Sequence, residues 1–461
     1  MGGFLILLWA TMAHAATVVV DQTGGADALS IAEGLELLQE GDTLHITAGT
    51  YFETWLDQPV DDVTIEGEGA DVTIIDGSLE GGTDDALGLF GTVAISDLTF
   101  VSHGYGIWFH GDDDDSTGLG VIERCRFVDI AGWGVVTRSY FDTLYVLDSE
   151  FSGMYAGIAD SYHAASDLHI ENNVFTGNDW GVQLEYEPAH PGTVHHVLHN
   201  TFVDNSIAIG WGYSYGGRAE ITIANNLIHS GARGYQFNGD WADAEFAYNL
   251  VGTEVVDLYA VGDPIADSHD NVTADPMLCG YDPKLSWQDW DLRPMPGSPA
   301  VDMGSDAYGA VQKLDLGGSA RPKDGDGDGV ALPDAGAYEY DPANSCVEDT
   351  GDSVDTGDTD GPGDSGDSTP PVDSGESAPP SDSADTQDSR PPPGDTETPA
   401  DSEPSDTGEP SDGCRAGCAQ GAAGAAPALA WLALLLPGLV VRSHSSLPLR
   451  SHPSFPVDQP G

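Results

Sequence analysis

Asp324, Asp326 and Asp328 alternate with glycines in the run Asp324-Gly-Asp-Gly-Asp-Gly-Val330. Carboxylates at every second position can converge on a hard cation while the glycines let the backbone curl, which is the spacing with which calcium-binding loops open. The expected ligands are Asp324, Asp326, Asp328, the backbone carbonyl of Val330, and Asp334. Asp334 is included because Ala335 holds the place where such loops close on a glutamate. A solvated acidic turn is the competing reading.

Arg138, His163, Glu185 and Glu187 could form a catalytic set on one surface. A histidine beside carboxylates can abstract a proton or protonate a glycosidic oxygen, so these are the candidate catalytic residues. Tyr162, Tyr186, Tyr213, Tyr215 and Trp241 lie near them along the chain, and aromatic rings are where sugar rings stack. They are the candidate ligand-binding residues. Groups of these kinds also stand on any solvated sheet face.

What would bring such scattered residues together is a repeat. An apolar anchor recurs at Phe100, Phe127, Phe151, Phe175, Phe202 and Ile228, in steps of 27, 24, 24, 27 and 26 residues. That period, made of short β-branched and aromatic runs between Gly, Asn and Asp, suits one coil of a β-solenoid. Two residues before the anchor stand Leu98, Cys125, Ser149, Asn173, Asn200 and Asn226, with Asn249 in a partial seventh coil. Stacked asparagines at a bend can bond to one another and to nearby backbone, so this column is structural. Six or seven residues after the anchor a small residue precedes an apolar one, at Gly106, Gly134, Gly157, Gly181, Ala208 and Gly234. Glycine there would permit positive φ and close approach of neighbouring turns. Four residues beyond this column come His110, Arg138, Ser161, Glu185, Gly212 and Asn238; six beyond come Asp112, Tyr140, His163, Glu187, Ser214 and Asp240. Stacking about 5 Å apart would gather the catalytic candidates on one outer face. Ahead of the coils, Asp27 to Glu40 carries a helical pattern with Leu29, Ala32, Leu35 and Leu38 on its apolar side, expected to cover the open end of the solenoid.

The runs GDTLHITAGTYFE, IEGEGADVTIIDG and IENNVFTGNDWGVQL resemble the right-handed parallel β-helix proteins of the pectin-lyase-like superfamily. The later runs DPMLCGYDPKLSWQDWDLRPMPGSPAVDMGS and DLGGSARPKDGDGDGVALPDAGAYEYD resemble the ending common in secreted members. The resemblance covers residues 17 to about 342 and implies an all-β, right-handed parallel β-helix solenoid with a short N-terminal helical cap. It specifies activity poorly, because the fold carries lyases, hydrolases, epimerases, esterases and non-enzymatic adhesins. The paired-aspartate and His-Gly patterns of polygalacturonases and the Arg and Asp arrangement of pectate lyases are not found.

The flanks differ sharply from this domain. FLILLWATMA followed by Ala13-His14-Ala15 reads as a signal peptide over 1–15, cut before Ala16, with the β-helix domain over 16–342. Residues 343–413 read as a disordered acidic stalk: from Val347 to Gly413 there are 20 acidic residues and a single base, Arg390. Cys414 and Cys418, an apolar run from Ala422 to Val441 and then Arg442 make up a segment over 414–442, ahead of a tail over 443–461. That order resembles the tripartite C-terminal sorting signals called MYXO-CTERM. The resemblance implies recognition at the cysteine motif, removal of the hydrophobic helix and attachment at the outer surface. The sequence departs from it in having only Arg442 and Arg450 in place of an arginine cluster. An ordinary transmembrane anchor is the alternative.

Charge narrows the partners. The chain has 77 Asp and Glu against 14 Lys and Arg, and between Ala16 and Cys346 ten bases are scattered among 56 acids. No basic stripe exists to neutralise phosphates, so nucleic acid is excluded as a partner. Anionic polysaccharides would be repelled unless a divalent cation bridged them. Cys279 and Cys346 could pair outside the cytoplasm. The expectation is a surface-anchored protein binding extracellular polysaccharide. A carbohydrate-active enzyme (lyase, hydrolase or epimerase) and a purely structural surface protein or adhesin are its alternatives.

Overall fold

A computed structural model describes residues 15–346, apart from 111–117, 139–140, 161–165, 187–192, 215–219, 230, 232, 239–243, 256, 262–266, 310 and 344. The expected signal peptide over 1–15, all but its last residue, lies outside the described residues. So do the stalk beyond Cys346, the cysteine motif with its apolar run, and the tail.

Short strands wind into three parallel sheets. The turn Leu119–Glu123, Arg126–Val128 and Trp133–Arg138 shows the plan, with one strand in each of sheets A, B and C. Sheet A has 11 strands, sheet B 10 and sheet C 9, each strand pairing with its counterpart one turn away. Alternation sends Gly120 and Ile122 inward and Leu119, Val121 and Glu123 outward. The predicted anchor column is continuous in register: Phe127 pairs with Phe100 and Phe151, and the row runs back through Ile75 to Tyr51. Its five phenylalanine rings stack at centroid spacings of 5.1, 4.8, 4.9 and 4.8 Å.

Between sheets A and B the chain turns in two residues. The first adopts the left-handed conformation at Asp97, Arg124, Asp148, Asn172, His199, Asn225, Tyr248 and Asp270, with φ from 48 to 64°. For residues with a side chain that conformation costs roughly 1–2 kcal/mol each. The second residue is the predicted asparagine column. The amide of Asn173 donates to Asn200 Oδ1 at 2.9 Å, that of Asn200 to Asn226 Oδ1 at 2.8 Å, and that of Asn226 to Asn249 Oδ1 at 3.0 Å. Asn271, not anticipated, extends the series by accepting from the amide of Asn249 at 2.9 Å. Each Nδ2 reaches back to a carbonyl of the preceding turn, as Asn200 does to Ile170 O at 2.8 Å. A second, shorter ladder at the next corner joins Met154 N to Asn178 Oδ1 and Asn178 N to Asn205 Oδ1, at 3.0 and 3.2 Å.

The small-residue column needs a different reason from the one expected. None of Gly106, Gly134, Gly157, Gly181 and Gly234 has positive φ. Close approach is the operative constraint: a Cβ on Gly157 would lie 2.7 Å from Gly181 O and 2.7 Å from the Phe175 ring. The N-terminal helix is also shorter than expected, spanning Ile31–Leu35. It buries Ile31, Gly34 and Leu35, while Leu29 and Ala32, placed on its apolar side by the sequence, are exposed. A Cβ at Gly34 would lie 2.6 Å from Val20 Cγ2, so the helix sits directly on the first turn of sheet A.

After Thr273 no further strands follow among the described residues; the chain runs back along the outside of sheet B as an irregular clasp. Leu292 and Ala337 pack on Val174 and Val203, and Ala300 and Ala335 pack on Leu227 and Leu250. Corner residues of the solenoid hold it. Ser305 N donates to Asn225 Oδ1 at 2.9 Å, Asn225 Nδ2 returns a bond to Ser305 O, and Val311 N donates to Glu171 Oε2 at 2.6 Å. Inside the clasp, Arg321 Nε lies 2.7 Å from Glu339 Oε1, both side chains buried. Cys279 and Cys346 form a disulfide that closes it.

Replacing Asn200 by Ala strands the amide of Asn173 inside the wall, where an unmatched buried donor costs about 1–3 kcal/mol. Urea unfolding should show at least that loss for Asn200→Ala and a smaller one for the half-buried, terminal Asn271→Ala. Burial under the clasp pushes the Glu171 carboxyl up to about 7, against the Val311 amide that favours its charged form, and pushes Asp148 up to about 6. Both folded values lie above the unfolded ones, so this stability is complete below about pH 4 and is lost as pH rises through 6 to 7. Melting temperature should fall by several degrees between pH 5 and pH 8, and Glu171→Gln should remove part of that fall.

Candidate functional site

The predicted catalytic set is only partly visible. His163, Glu187, Tyr162, Tyr215 and Trp241 lie outside the described residues, in segments that follow sheet C strands. Glu185 and Tyr186 fall on the strand Trp180–Tyr186 and Tyr213 on the strand Ile207–Ser214. Arg138 ends the strand Trp133–Arg138 and pairs in register with His110. Glu185 follows Leu184, whose row contains Asp160 and Thr137, so Glu185 stands two strands along from Arg138.

Around Arg138 the outer face of sheet C carries a site that the sequence reading did not assemble. The Arg138 guanidinium lies 3.6 Å from the centroid of the Trp108 ring, a cation–π contact. Trp108 in turn stacks on His110 at 4.9 Å and 12°. Tyr105 meets Trp108 edge-on at 5.8 Å and stacks on Trp133 at 5.0 Å. Trp133 Nε1 donates to the buried Gln183 Oε1 at 3.0 Å, carrying the strip across to the strand Trp180–Tyr186.

On the other side of Trp108 the face opens. Gly88 pairs with both Trp108 and Asp57, and a Cβ there would lie 2.7 Å from Asp57 Oδ1 and 3.8 Å from His110 Nε2. The missing side chain leaves a gap between a carboxylate and an imidazole. Trp55, two residues before Asp57, is 62% exposed and held in the left-handed conformation at φ 54°, with its amide donating to Asp85 O at 2.7 Å. A bulky residue in that conformation is a backbone outlier that the surroundings must impose.

Electrostatics set the protonation states. Loss of water on the side packed by neighbouring groups pushes the His110 pKa down; the Arg138 charge adds to this and Asp57 opposes it. Burial raises the Asp85 carboxyl, which Arg138 partly offsets and Asp84 and Asp57 reinforce. At neutral pH the gap therefore has an uncharged imidazole facing a carboxylate, an arrangement able to hydrogen-bond hydroxyl groups or accept a proton.

The signals for this face were in the sequence at positions not indexed. Trp108 and Gln183 lie two residues beyond the small-residue column, where the reading counted four and six. Trp55, Asp57 and Asp85 precede the first coil that the repeat aligned.

The acidic loop is rearranged relative to expectation. Asp302, Asp324 and Asp326 bring one carboxylate oxygen each within 4.8 Å of one another, so these three could hold a cation. Asp302 was missed because it lies outside the repeating run. Asp328 instead accepts from Val330 N at 2.7 Å. Asp334 is no ligand of this loop: it is fully buried, accepting from Asp302 N at 2.7 Å and from Tyr340 N, and burial beside Glu339 raises its pKa. A second group that could hold a metal joins Glu245, Asp267 and His269 on the last turns of sheet A. No helix among the described residues is long and apolar enough to cross a membrane.

A family profile described as the right handed beta helix region matches residues 85–251, which include Gly88, Trp108, His110, Arg138 and Gln183. The solenoid is thus a right-handed parallel β-helix. No curated protein matches the chain. Among solved structures it is similar to an alginate lyase from Paenibacillus sp. str. FPU-7, at 16% identity over 56% of this chain and 98% of that one, with a TM-score of 0.40. It is also similar to the catalytic unit of a GH87 alpha-1,3-glucanase from Streptomyces thermodiastaticus strain HF3-3, at 14% identity over 57% and 68%, TM-score 0.32. A third is pectin methylesterase PemA from Erwinia chrysanthemi, at 11% identity over 55% and 82%, TM-score 0.28.

If Arg138 and Asp57 act on His110 as described, Arg138→Gln should raise the His110 pKa and Asp57→Asn should lower it. An NMR titration of the His110 Cε1 proton reads both shifts, and an unmoved midpoint in both variants contradicts the arrangement.

Proposed function

We propose that this is an exported, surface-held β-helix protein that binds polysaccharide on the outer face of sheet C. The gap over Gly88 carries the reading: it sets Asp57 and His110 opposite each other, with the exposed Trp55 two residues before Asp57 in the chain. Sugar recognition needs an apolar platform and a few placed polar groups. Here Trp55 supplies an exposed ring, Asp57 and His110 supply hydrogen bonds, and Tyr105, Trp108 and Trp133 continue the strip across successive turns. Export and surface attachment rest on the N-terminal apolar run, the acidic stalk and the Cys414/Cys418 segment of the sequence. Calcium is the cation proposed for Asp302, Asp324 and Asp326, an all-oxygen set suited to it.

The uncharged His110 beside Asp57 favours one second reading, a carbohydrate-active enzyme in which His110 serves as base. Release of reducing ends or unsaturated uronates, abolished by His110→Ala, would establish it in place of passive binding.

A glycan array probed with the full chain should give binding that Trp55→Ala weakens on the order of tenfold, as loss of an aromatic anchor does. Gly88→Val, which fills the gap from the solvent side, should do the same without lowering the melting temperature. A blank array removes the reading. Calcium titrated calorimetrically should release heat and raise the melting temperature, and Asp302→Asn should remove most of both; silence in the unsubstituted protein excludes a calcium site.

A further inference from the structure

Building on the glycan-binding reading, we infer that the ligand of the sheet C face is a cationic, amino-sugar polymer, and that the face discriminates against uronates. The charges around the gap set this preference. Asp57 and Asp84 both act electrostatically on Asp85, against the opposing charge of Arg138. The flat face of Arg138 is stacked on Trp108, 3.6 Å from the ring centroid. Asp61 adds a fourth carboxylate further along, where the chain leaves sheet C, its Oδ1 accepting from Thr92 N at 2.6 Å.

A hexuronan presents one carboxylate per ring, and each would meet this excess of like charge with one arginine to answer it. A hexosamine polymer presents one ammonium per ring. Seated against Trp55 by its apolar face, such a ring could turn its amino group towards Asp57, gaining a charge-assisted hydrogen bond together with the attraction of a cation to an aromatic face. Loss of water around the ring, reinforced by the Arg138 charge, keeps His110 uncharged at neutral pH, so it accepts from a hydroxyl and does not repel the ammonium.

Because the whole chain is acidic, any polycation would associate with it loosely. The test therefore uses short oligomers and single substitutions. The full chain is titrated calorimetrically, at fixed physiological salt, with glucosamine hexamer, N-acetylglucosamine hexamer and galacturonate hexamer. The glucosamine hexamer should bind about tenfold or more tighter than its acetylated counterpart, the scale of one charge-assisted hydrogen bond, and the galacturonate hexamer should give no heat. Asp57→Asn should bring the first two to near parity, while Asp289→Asn, on the exposed surface of the clasp, leaves the preference unchanged. A preference that survives Asp57→Asn combined with Asp85→Asn reports diffuse attraction to the acidic surface and overturns the inference. So does binding of only an uncharged or acidic glycan, which leaves the binding reading standing. Silence from all three hexamers overturns the inference as well, and with a blank array it removes the binding reading too.

Discussion

Each passage from sheet A to sheet B puts a backbone amide inside the wall with no partner in its own turn. A two-residue corner is too short to satisfy that amide locally, and water does not reach it. The asparagine of the next turn does, its Oδ1 taking the bond at 2.8 to 3.0 Å from Asn173 to Asn271. The bond runs along the solenoid axis, so it also fixes the height of each turn. Everything that stacks inherits that height: the phenylalanine column, and on the outside Tyr105 on Trp133 at 5.0 Å and His169 on His196 at 5.0 Å.

The fold was legible because its rules repeat. A column read six or seven times in register is a stronger signal than any single residue, and the phenylalanine, asparagine and glycine columns all fall where the sequence put them. The glycines were assigned two reasons and needed one. Positive φ belongs to the corner residues, of which His199 and Tyr248 are examples that no glycine pattern would reveal. At Gly106, Gly134, Gly157 and Gly181 the turn heights leave no room for a Cβ beneath the next carbonyl, and that is what these positions record.

The candidate site was less legible, for the opposite reason. Gly88, Asp57 and Trp55 matter by being unlike their counterparts in other turns, and an alignment built on recurrence passes over exceptions. Arg138 was found because it lies in an indexed row; its partners Trp108 and Asp57 were not, one in a skipped row and one ahead of the repeat. The loop at Asp324 shows the same limit in another form. Local spacing named Asp324 and Asp326, whose carboxylates do approach each other, but their third neighbour, Asp302, arrives through the folding of the clasp. Asp334, adjacent in sequence, is turned inward to satisfy the amides of Asp302 and Tyr340.

The disulfide between Cys279 and Cys346 spans 67 residues of clasp. Cys346 is where the described chain ends and the long acidic segment begins. Tension applied through that segment would pass across the sulfur bridge to Cys279, six residues beyond the last strand of sheet B, and bypass the intervening clasp. The hydrogen bonds from Asn225 and Glu171 would then lie outside the load path. A pull on the chain beyond Cys346 would thus be delivered at the last turn, where the strand Val272–Thr273 follows Asn271, the end of the asparagine ladder.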